Sequence, residues 1–430
     1  MSLEEKFADR TAKVAIMGLG YAGLPVAVAF AQAGLRTVGL DPDERRVAAL
    51  NAGQSYIKDV SPEEVRDLVE RHLLRASRDF SNLAHVDAIL ICVPTPLTPN
   101  REPDLQYIQA ATEQVARFLL PGQLVVLEST TYPGTTEEVL LPQFEARGLT
   151  VGRDFFLAFS PERVDPGSQW RLRNTPKVVG GITERCREAA VALYRCVCDQ
   201  VVPVSSTRVA ELTKLLENIF RNVNIALVNE LALLCHRMGI DVWEVIEASA
   251  TKPFGFMKFT PGPGVGGHCV PADPFYLSWK ANQYDFRTRF IELAGEVNWN
   301  MPYYVVQRIS EVLNREGKCL NGSRLLLLGA AYKSNIDDTR ESPFYKVAEL
   351  LRQAGAEILY HDPYVSEVKV GEEHYTSVPL TPETLSEVDG VVLVTDHDAY
   401  DHAFIVEHAP WILDTRNAFR DFKAAHIFKM

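Results

Sequence analysis

The sequence predicts an α/β protein with three parts: an α/β domain, a helical middle and a second α/β domain. Three observations predict it. Short, uninterrupted apolar runs recur in the first part of the chain and again in the last, the pattern of strands buried on both faces of a parallel sheet. Helical patterns lie between those runs, as parallel connections require. The middle instead carries apolar residues at helical spacing over about thirty positions without a proline.

In chain order, "KVAIMG" (Lys13 to Gly18), "RTVGLD" (Arg36 to Asp41), "DAILICV" (Asp87 to Val93) and "QLVVLES" (Gln123 to Ser129) read as buried strands. From Thr207 to Arg237 the chain reads as one long helix, stopped by Gly239. A second long helix is expected over "FRTRFIELAGEVNWNMPYYVVQRISEVLN", with Pro302 marking a kink or a boundary. Strands resume at "SRLLLLG", "AEILYHD", "GVVLVT" and "WILDT".

Composition bounds the function. The chain has 430 residues, 47% hydrophobic and 23% charged, the balance of a soluble globular protein with a large core. No apolar run is long enough for a membrane helix, and the polar start "MSLEEKFADRTAK" has no apolar signal core. A cytoplasmic protein with no membrane partner is expected. A net charge of -12 argues against a general nucleic-acid binder. Seven scattered cysteines make no disulfide framework and fit a reducing compartment. Cys196 and Cys198 have no second pair, so no metal site is expected.

"GLGYAG", Gly18-Leu19-Gly20-Tyr21-Ala22-Gly23, follows the first strand and opens a helix. Its glycines allow a tight turn and the close approach of a pyrophosphate to the helix N-terminus. Asp41 closes the next strand 18 residues after Gly23, where its carboxylate would accept from ribose hydroxyls and repel a 2′-phosphate. NAD is the expected cofactor; a flavin is the other ligand such a cradle accepts. "FTPGPGVGGHCVPADPFYL" sets Cys269 among Gly262, Gly264, Gly266 and Gly267, with Asp273 four residues on. Gly264, Gly266 and Gly267 are expected to clear space for a ligand. A nucleophilic cysteine beside NAD points to aldehyde oxidation: the thiolate forms a thiohemiacetal, hydride loss gives a thioester, and water releases an acid. Asp273 is placed to assist that water and also to cap the helix it opens. The plainer reading of Cys269 is a small buried hydrophobe in a turn.

The chain resembles the UDP-glucose/GDP-mannose dehydrogenase family along essentially its whole length, through "GLGYAG", "VPTP", "ESTTYPGT", "SPERV", "ELTKLLENIFRNVNIALVNEL", "GPGVGGHCVPADP", "GAAYKSNIDDTRESP" and "DTRN", in that order. The resemblance implies two Rossmann-like doubly wound parallel-sheet domains. The expected parts are an NAD-binding domain over 1–206, a central helical dimerisation domain with the cysteine loop over 207–316, and a UDP-sugar domain over 317–430. It also implies an active site between the outer domains, with the long helix as spine and dimer core.

Position by position, it implies Cys269 as nucleophile and Asp273 as the acid that assists water. Lys214 and Asn218 stand at the C6 oxygen, four residues apart on one helical face. Glu162 falls in or beside the catalytic centre, and Thr131 holds a water. Whether Glu162, or a water held by Lys214 and Asp273, takes the first proton is open. NAD contacts are implied at Gly18, Gly20, Tyr21, Ala22, Gly23, Asp41, Arg46, Thr95, Thr131 and Arg340. Substrate contacts are implied at Glu162, Arg163, Val164, Lys214, Asn218, Arg221, Gly264, Tyr332, Lys333 and Arg416.

The chain departs from the family pattern at Lys252-Pro253-Phe254, where many relatives carry an arginine that reaches a partner subunit. That segment, with His268 before the cysteine, resembles the UDP-N-acetylglucosamine 6-dehydrogenase branch. Phe254, Phe256 and Met257 are compatible with an acetamido pocket. The implied activity is four-electron, NAD-dependent oxidation of a UDP-sugar to its uronic acid by a homodimer or larger homo-oligomer. UDP-N-acetylmannosamine, UDP-N-acetylgalactosamine and UDP-glucose are alternative substrates. A non-catalytic nucleotide-sugar sensor and a cysteine hydrolase are the readings from other classes; His268, adjacent to Cys269, is poor geometry for a dyad.

Overall fold

The computed structural model describes residues 1–98, 100–164, 170–267 and 270–430. The chain divides into two units, Met1–Glu217 with Trp279–Phe286, and Asn218–Ser278 with Arg287–Met430. The division falls inside the long helix Thr207–Met238.

Among the described residues, the first unit holds an eight-stranded sheet. Its strands are β1 (Lys13–Met17), β2 (Arg36–Leu40), β3 (Leu74–Ser77), β4 (Ala88–Ile91), β5 (Leu124–Leu127), β6 (Phe156–Phe159), β7 (Lys177–Gly181) and β8 (Val201–Val204). Their order is β3-β2-β1-β4-β5-β6-β7-β8. Alternate residues feed opposite cores: Val14 and Ile16 of β1 join one cluster, Ala15 and Met17 the other. That is why these strands read as continuous apolar runs. The strand order reverses between β1 and β4, which opens a crevice at the carboxyl ends of those two strands.

The four expected strands of this unit are β1, β2, β4 and β5. The other four carry weaker signals. β3 and β8 are the two outermost strands and only partly buried, and β8 contains Pro203, which an edge strand tolerates. β6 and β7 pair antiparallel, with Phe159 opposite Gly180. This one pair departs from the all-parallel expectation.

In the second unit a five-stranded parallel sheet is built from β9 (Arg324–Leu328), β10 (Glu357–His361), β13 (Gly390–Leu393), β14 (Ile412–Asp414) and β15 (Ile427–Lys429), in the order β10-β9-β13-β14-β15. A hairpin, β11 (Glu367–Val370) with β12 (Glu373–Thr376), lies outside it. The order again reverses beside the first strand, here β9. Leu325 and Leu327 face one core, Leu326 and Leu328 the other. The second long helix is Arg289–Arg315, and Pro302 lies inside it rather than at a boundary.

Candidate functional site

The cradle after β1 fits a dinucleotide, and its three glycines do three different things. Gly18 has φ +89, and a Cβ there would sit 2.5 Å from the Cys92 carbonyl oxygen. A Cβ on Gly23 would sit 1.8 Å from the Gly18 oxygen, so that glycine admits the helix to the turn. A Cβ on Gly20 would meet nothing within 4 Å, which leaves the backbone there open to a ligand. The helix Gly23–Gln32 begins after Ala22 with no side-chain cap, leaving its first N–H groups for an anion. Tyr21 and Ala22 are exposed beside it.

Asp41, buried at the end of β2, accepts from Leu19 N at 2.8 Å, Asp43 N at 2.9 Å and Arg46 Nη1 at 3.2 Å. Tyr56, which the motif does not include, donates its hydroxyl to the Leu19 carbonyl at 2.8 Å. Burial and the Asp41 charge push that phenol up to about 12. Thr95, past β4, is buried.

Thr131 is fully buried and shares a 2.6 Å hydrogen bond with Thr135. Its loop is anchored by Glu211, whose carboxylate accepts from Gly134 N, Thr136 N and Thr136 Oγ1. Glu211 was legible only as one more polar residue of "AELTKLL". Its place three residues before Lys214, on the same helical face, is the signal that marks it. Lys280 clamps the same loop, pairing with Glu138 at 2.7 Å beneath the Tyr132 ring.

Glu162 follows β6. One carboxylate oxygen accepts from Arg163 N at 2.8 Å and Val164 N at 2.7 Å; the other lies 3.4 Å from Lys177 Nζ. Burial opposes its charge, but Lys177, the Val164 N–H and Lys214 outweigh that and hold the carboxyl below the ordinary glutamate range. Arg163, expected on a substrate, engages Glu217 at 2.7 Å and the Pro176 carbonyl. Val164 is half-buried. Lys214 is buried, with 8% of its surface exposed.

In the second unit, Asn218 donates from Nδ2 to Asp273 Oδ2 at 2.5 Å, and both residues are buried. Arg221 donates to Asn218 Oδ1 at 3.1 Å. Asp273 is the first residue of the helix Asp273–Asn282. Cys269 and His268 lie outside the described residues.

The loop around them is held at both ends by asparagines that sequence reasoning missed. Gly262 N donates to Asn229, Asn229 to Asn298, Asn298 to Asn222, and Asn222 to the Val270 carbonyl. Gly267 N donates to the Arg340 carbonyl at 3.0 Å. The loop glycines admit the chain's own groups instead of clearing an empty volume. A Cβ on Gly266 would meet Tyr332 Cβ at 2.7 Å, one on Gly267 the Tyr332 ring at 3.0 Å, and one on Gly262 Arg416 Nη1 at 2.6 Å. Gly264, at φ +136, packs on Pro343 and Pro302.

Arg416 also donates to the Val394 carbonyl at 2.8 Å. Burial pulls it down to about 10 against the opposing charges of Asp396 and Asp414, so it stays cationic at neutral pH. Lys333 is half-buried next to Tyr332, and Arg340 forks onto Asp338 at 2.6–3.0 Å. Lys258, in the departing segment, pairs with Glu247 at 2.5 Å.

Three family models match the chain in register. They are the NAD binding domain of the UDP-glucose/GDP-mannose dehydrogenase family over residues 12–198, its central domain over 208–300, and its UDP binding domain over 326–421. A UDP-N-acetyl-D-mannosamine dehydrogenase of Pyrococcus horikoshii is 36% identical, covering 90% of each chain. A UDP-N-acetyl-D-glucosamine 6-dehydrogenase of Pseudomonas aeruginosa is also 36% identical, covering 90% of this chain and 91% of its own. The solved structure of the UDP-D-ManNAc dehydrogenase from Pyrococcus horikoshii superposes with a TM-score of 0.89 at 33% identity, over 97% of this chain and 98% of that one.

Proposed function

The chain belongs to the UDP-glucose/GDP-mannose dehydrogenase family and is an NAD-dependent UDP-sugar dehydrogenase; from that premise we propose that its substrate is UDP-N-acetylglucosamine, oxidised at C6 to the uronic acid through a thioester on Cys269. The observation that carries the reading is the asparagine-held loop, pinned at Gly262 and Val270 on either side of Cys269 and followed by the buried Asn218–Asp273 pair. A nucleophile needs such a fixed backbone to meet its carbon in line.

NAD, which the Gly18–Gly23 cradle and Asp41 would hold, would supply the hydride acceptor for both oxidations. The chain's own residues handle protons and charge. Glu162 takes the C6 hydroxyl proton. Lys214 and the second amide hydrogen of Asn218 hold the oxygen as negative charge develops on it. The Cys269 thiolate adds to the aldehyde carbon, and Asp273 orients the water that releases the acid. Arg416 and Lys333 meet the anionic end of the nucleotide.

The names of the relatives support an N-acetylhexosamine, and the exposed apolar Phe254, Phe256 and Met257 support a pocket for its methyl group. The C2 epimer, UDP-N-acetylmannosamine, is the alternative favoured by the name of the Pyrococcus relative.

An oligomer forms along the helix Thr207–Met238, whose outer face carries Phe220, Leu227, Leu231, Leu234 and Met238 exposed at helical spacing. Among the described residues no helix is long and apolar enough to cross a membrane. We place the enzyme in the cytoplasm, which keeps thiols reduced.

The test is a panel of UDP-sugars followed by NADH absorbance and acid release. UDP-N-acetylglucosamine is expected to give the highest kcat/KM, with two NADH per acid. A higher value for UDP-N-acetylmannosamine would transfer the assignment to the epimer. One NADH with free aldehyde accumulating would remove the thioester.

A further inference from the structure

A buried cluster of ionisable groups lies beneath Glu162, and none of the roles above uses it. The direction of β7 creates it. β7 runs antiparallel to β6, so its first residue lies at the carboxyl end of β5 and β6. Extending the register Phe159↔Gly180 by three places sets Glu162 opposite Lys177. Lys177 Nζ lies 3.2 Å from Glu128 Oε2 and 3.4 Å from Glu162 Oε2. The side chains of Lys177 and Glu128 are only 2% and 1% exposed, whereas that of Glu162 is 18% exposed. The Tyr194 hydroxyl donates to the other Glu128 oxygen, and its ring lies 5.1 Å from Lys177 Nζ. Among the side chains of Lys177, Glu128 and Glu162, that of Glu162 is the one that reaches solvent.

Leaving a lysine and a glutamate in a core is costly unless each is paired. Salt bridges at such depth add little net stability over an apolar core, so fold stability alone does not account for the cluster. One end of it reaches the surface, and that end is a carboxylate whose other oxygen is already fixed by two backbone N–H groups.

We propose that Lys177, backed by Glu128 and Tyr194, is a positioning residue that aims the Glu162 carboxylate and keeps it ionised for proton abstraction. This rests on the reading of Glu162 as the base at C6. Lys177, buried and paired with Glu128 and Glu162, acts through Glu162.

Among the described residues, Glu162 is faced by cations on one side and by a carboxyl and neutral groups on the other. On the cationic side stand Lys177 from β7 and Lys214 from the long helix. Burial opposes the Lys177 charge, and Glu128 and Glu162 more than restore it, so its ammonium persists above the ordinary lysine range. On the other side stand Glu128, whose carboxyl burial raises, and the thiols of Cys92 and Cys198, which burial raises as well and so keeps neutral. The Tyr194 phenol is also pushed up and stays neutral. Arg163 is occupied by Glu217.

The sign follows. A depressed carboxyl is ionised throughout the neutral range and is lost only as pH falls below the usual glutamate range. Removing the cation moves that loss to higher pH.

The experiment uses Lys177→Met combined with Glu128→Gln, so that no buried acid is left without its cation, together with Lys177→Arg. Carboxyl resonances of the 13C-glutamate-labelled full chain are titrated, with Glu162→Gln assigning the signal. The Glu162 titration is expected to rise by roughly one pH unit or more in the double variant and to stay low in Lys177→Arg. An unmoved titration overturns the proposal.

The acid limb of kcat against pH is expected to move the same way, with a loss of about tenfold below it, recovery on the alkaline plateau, and no further loss in a Glu162→Gln background. Equal loss at every pH, or full additivity with Glu162→Gln, also overturns it. If the wild-type enzyme oxidises no UDP-sugar, the functional reading fails by itself, and the carboxyl titration still decides the role of Lys177.

Discussion

Gly20 and Gly23 lie three residues apart in one motif, yet their surroundings differ completely. Gly20→Ala adds a methyl group into open space. It is expected to leave the melting temperature within about 1 °C and to weaken NAD binding by at least tenfold, read by calorimetry, because the methyl stands where the pyrophosphate must approach. Gly23→Ala drives a Cβ into the Gly18 carbonyl and is expected to cost about 3 kcal/mol or more in denaturant unfolding. Asp41→Asn keeps the size of the side chain but loses a charged acceptor. NAD affinity is expected to fall roughly tenfold or more, with UDP-sugar affinity within twofold. Equal weakening of both ligands would show that Asp41 serves the fold instead of the cofactor. This part of the site was legible because strand, turn, helix and acid lie within thirty residues, where local rules suffice. Lys177 was not legible. As a lone lysine starting a short strand it reads as surface, and only the reversal of β7 turns it inward.

The long helices were legible as elements and not as a pair. Their apolar spacing gave Thr207–Met238 to within a residue and Arg289–Arg315 to within three. Asn222 and Asn229, however, belong to a polar pattern that looks solvated until Asn298 is placed against it. At the level of elements, these amides are what joins the two helices to the glycine-rich loop. Asn298→Leu strands the amides of Asn229 and Asn222 in a buried site. It is expected to cost about 1–3 kcal/mol of stability and to lower kcat at least tenfold with NAD affinity unchanged. Retained kcat would mean that the loop holds its form without the helices. The strands legible in sequence were those buried on both faces; the edge strands and β7 gave way to tertiary context.

For the whole molecule, the exposed apolar stripe on Thr207–Met238 predicts assembly. Leu227→Glu with Leu234→Glu places two charges on it, where the wild-type residues are 55% and 50% exposed. Sedimentation of this variant is expected to show a smaller species than wild type, with far-ultraviolet circular dichroism unchanged. An unaltered mass would place the oligomer contact elsewhere. The asparagine relay has a further consequence, for the order in which the molecule folds. Its links join residues 69 and 76 positions apart in sequence, so the loop lacks its anchors until both long helices exist and have docked. The cysteine loop is therefore a late product of folding and an early casualty of unfolding. In rising urea, activity is expected to disappear before helical ellipticity does, and coincident transitions would refute that sequence of events.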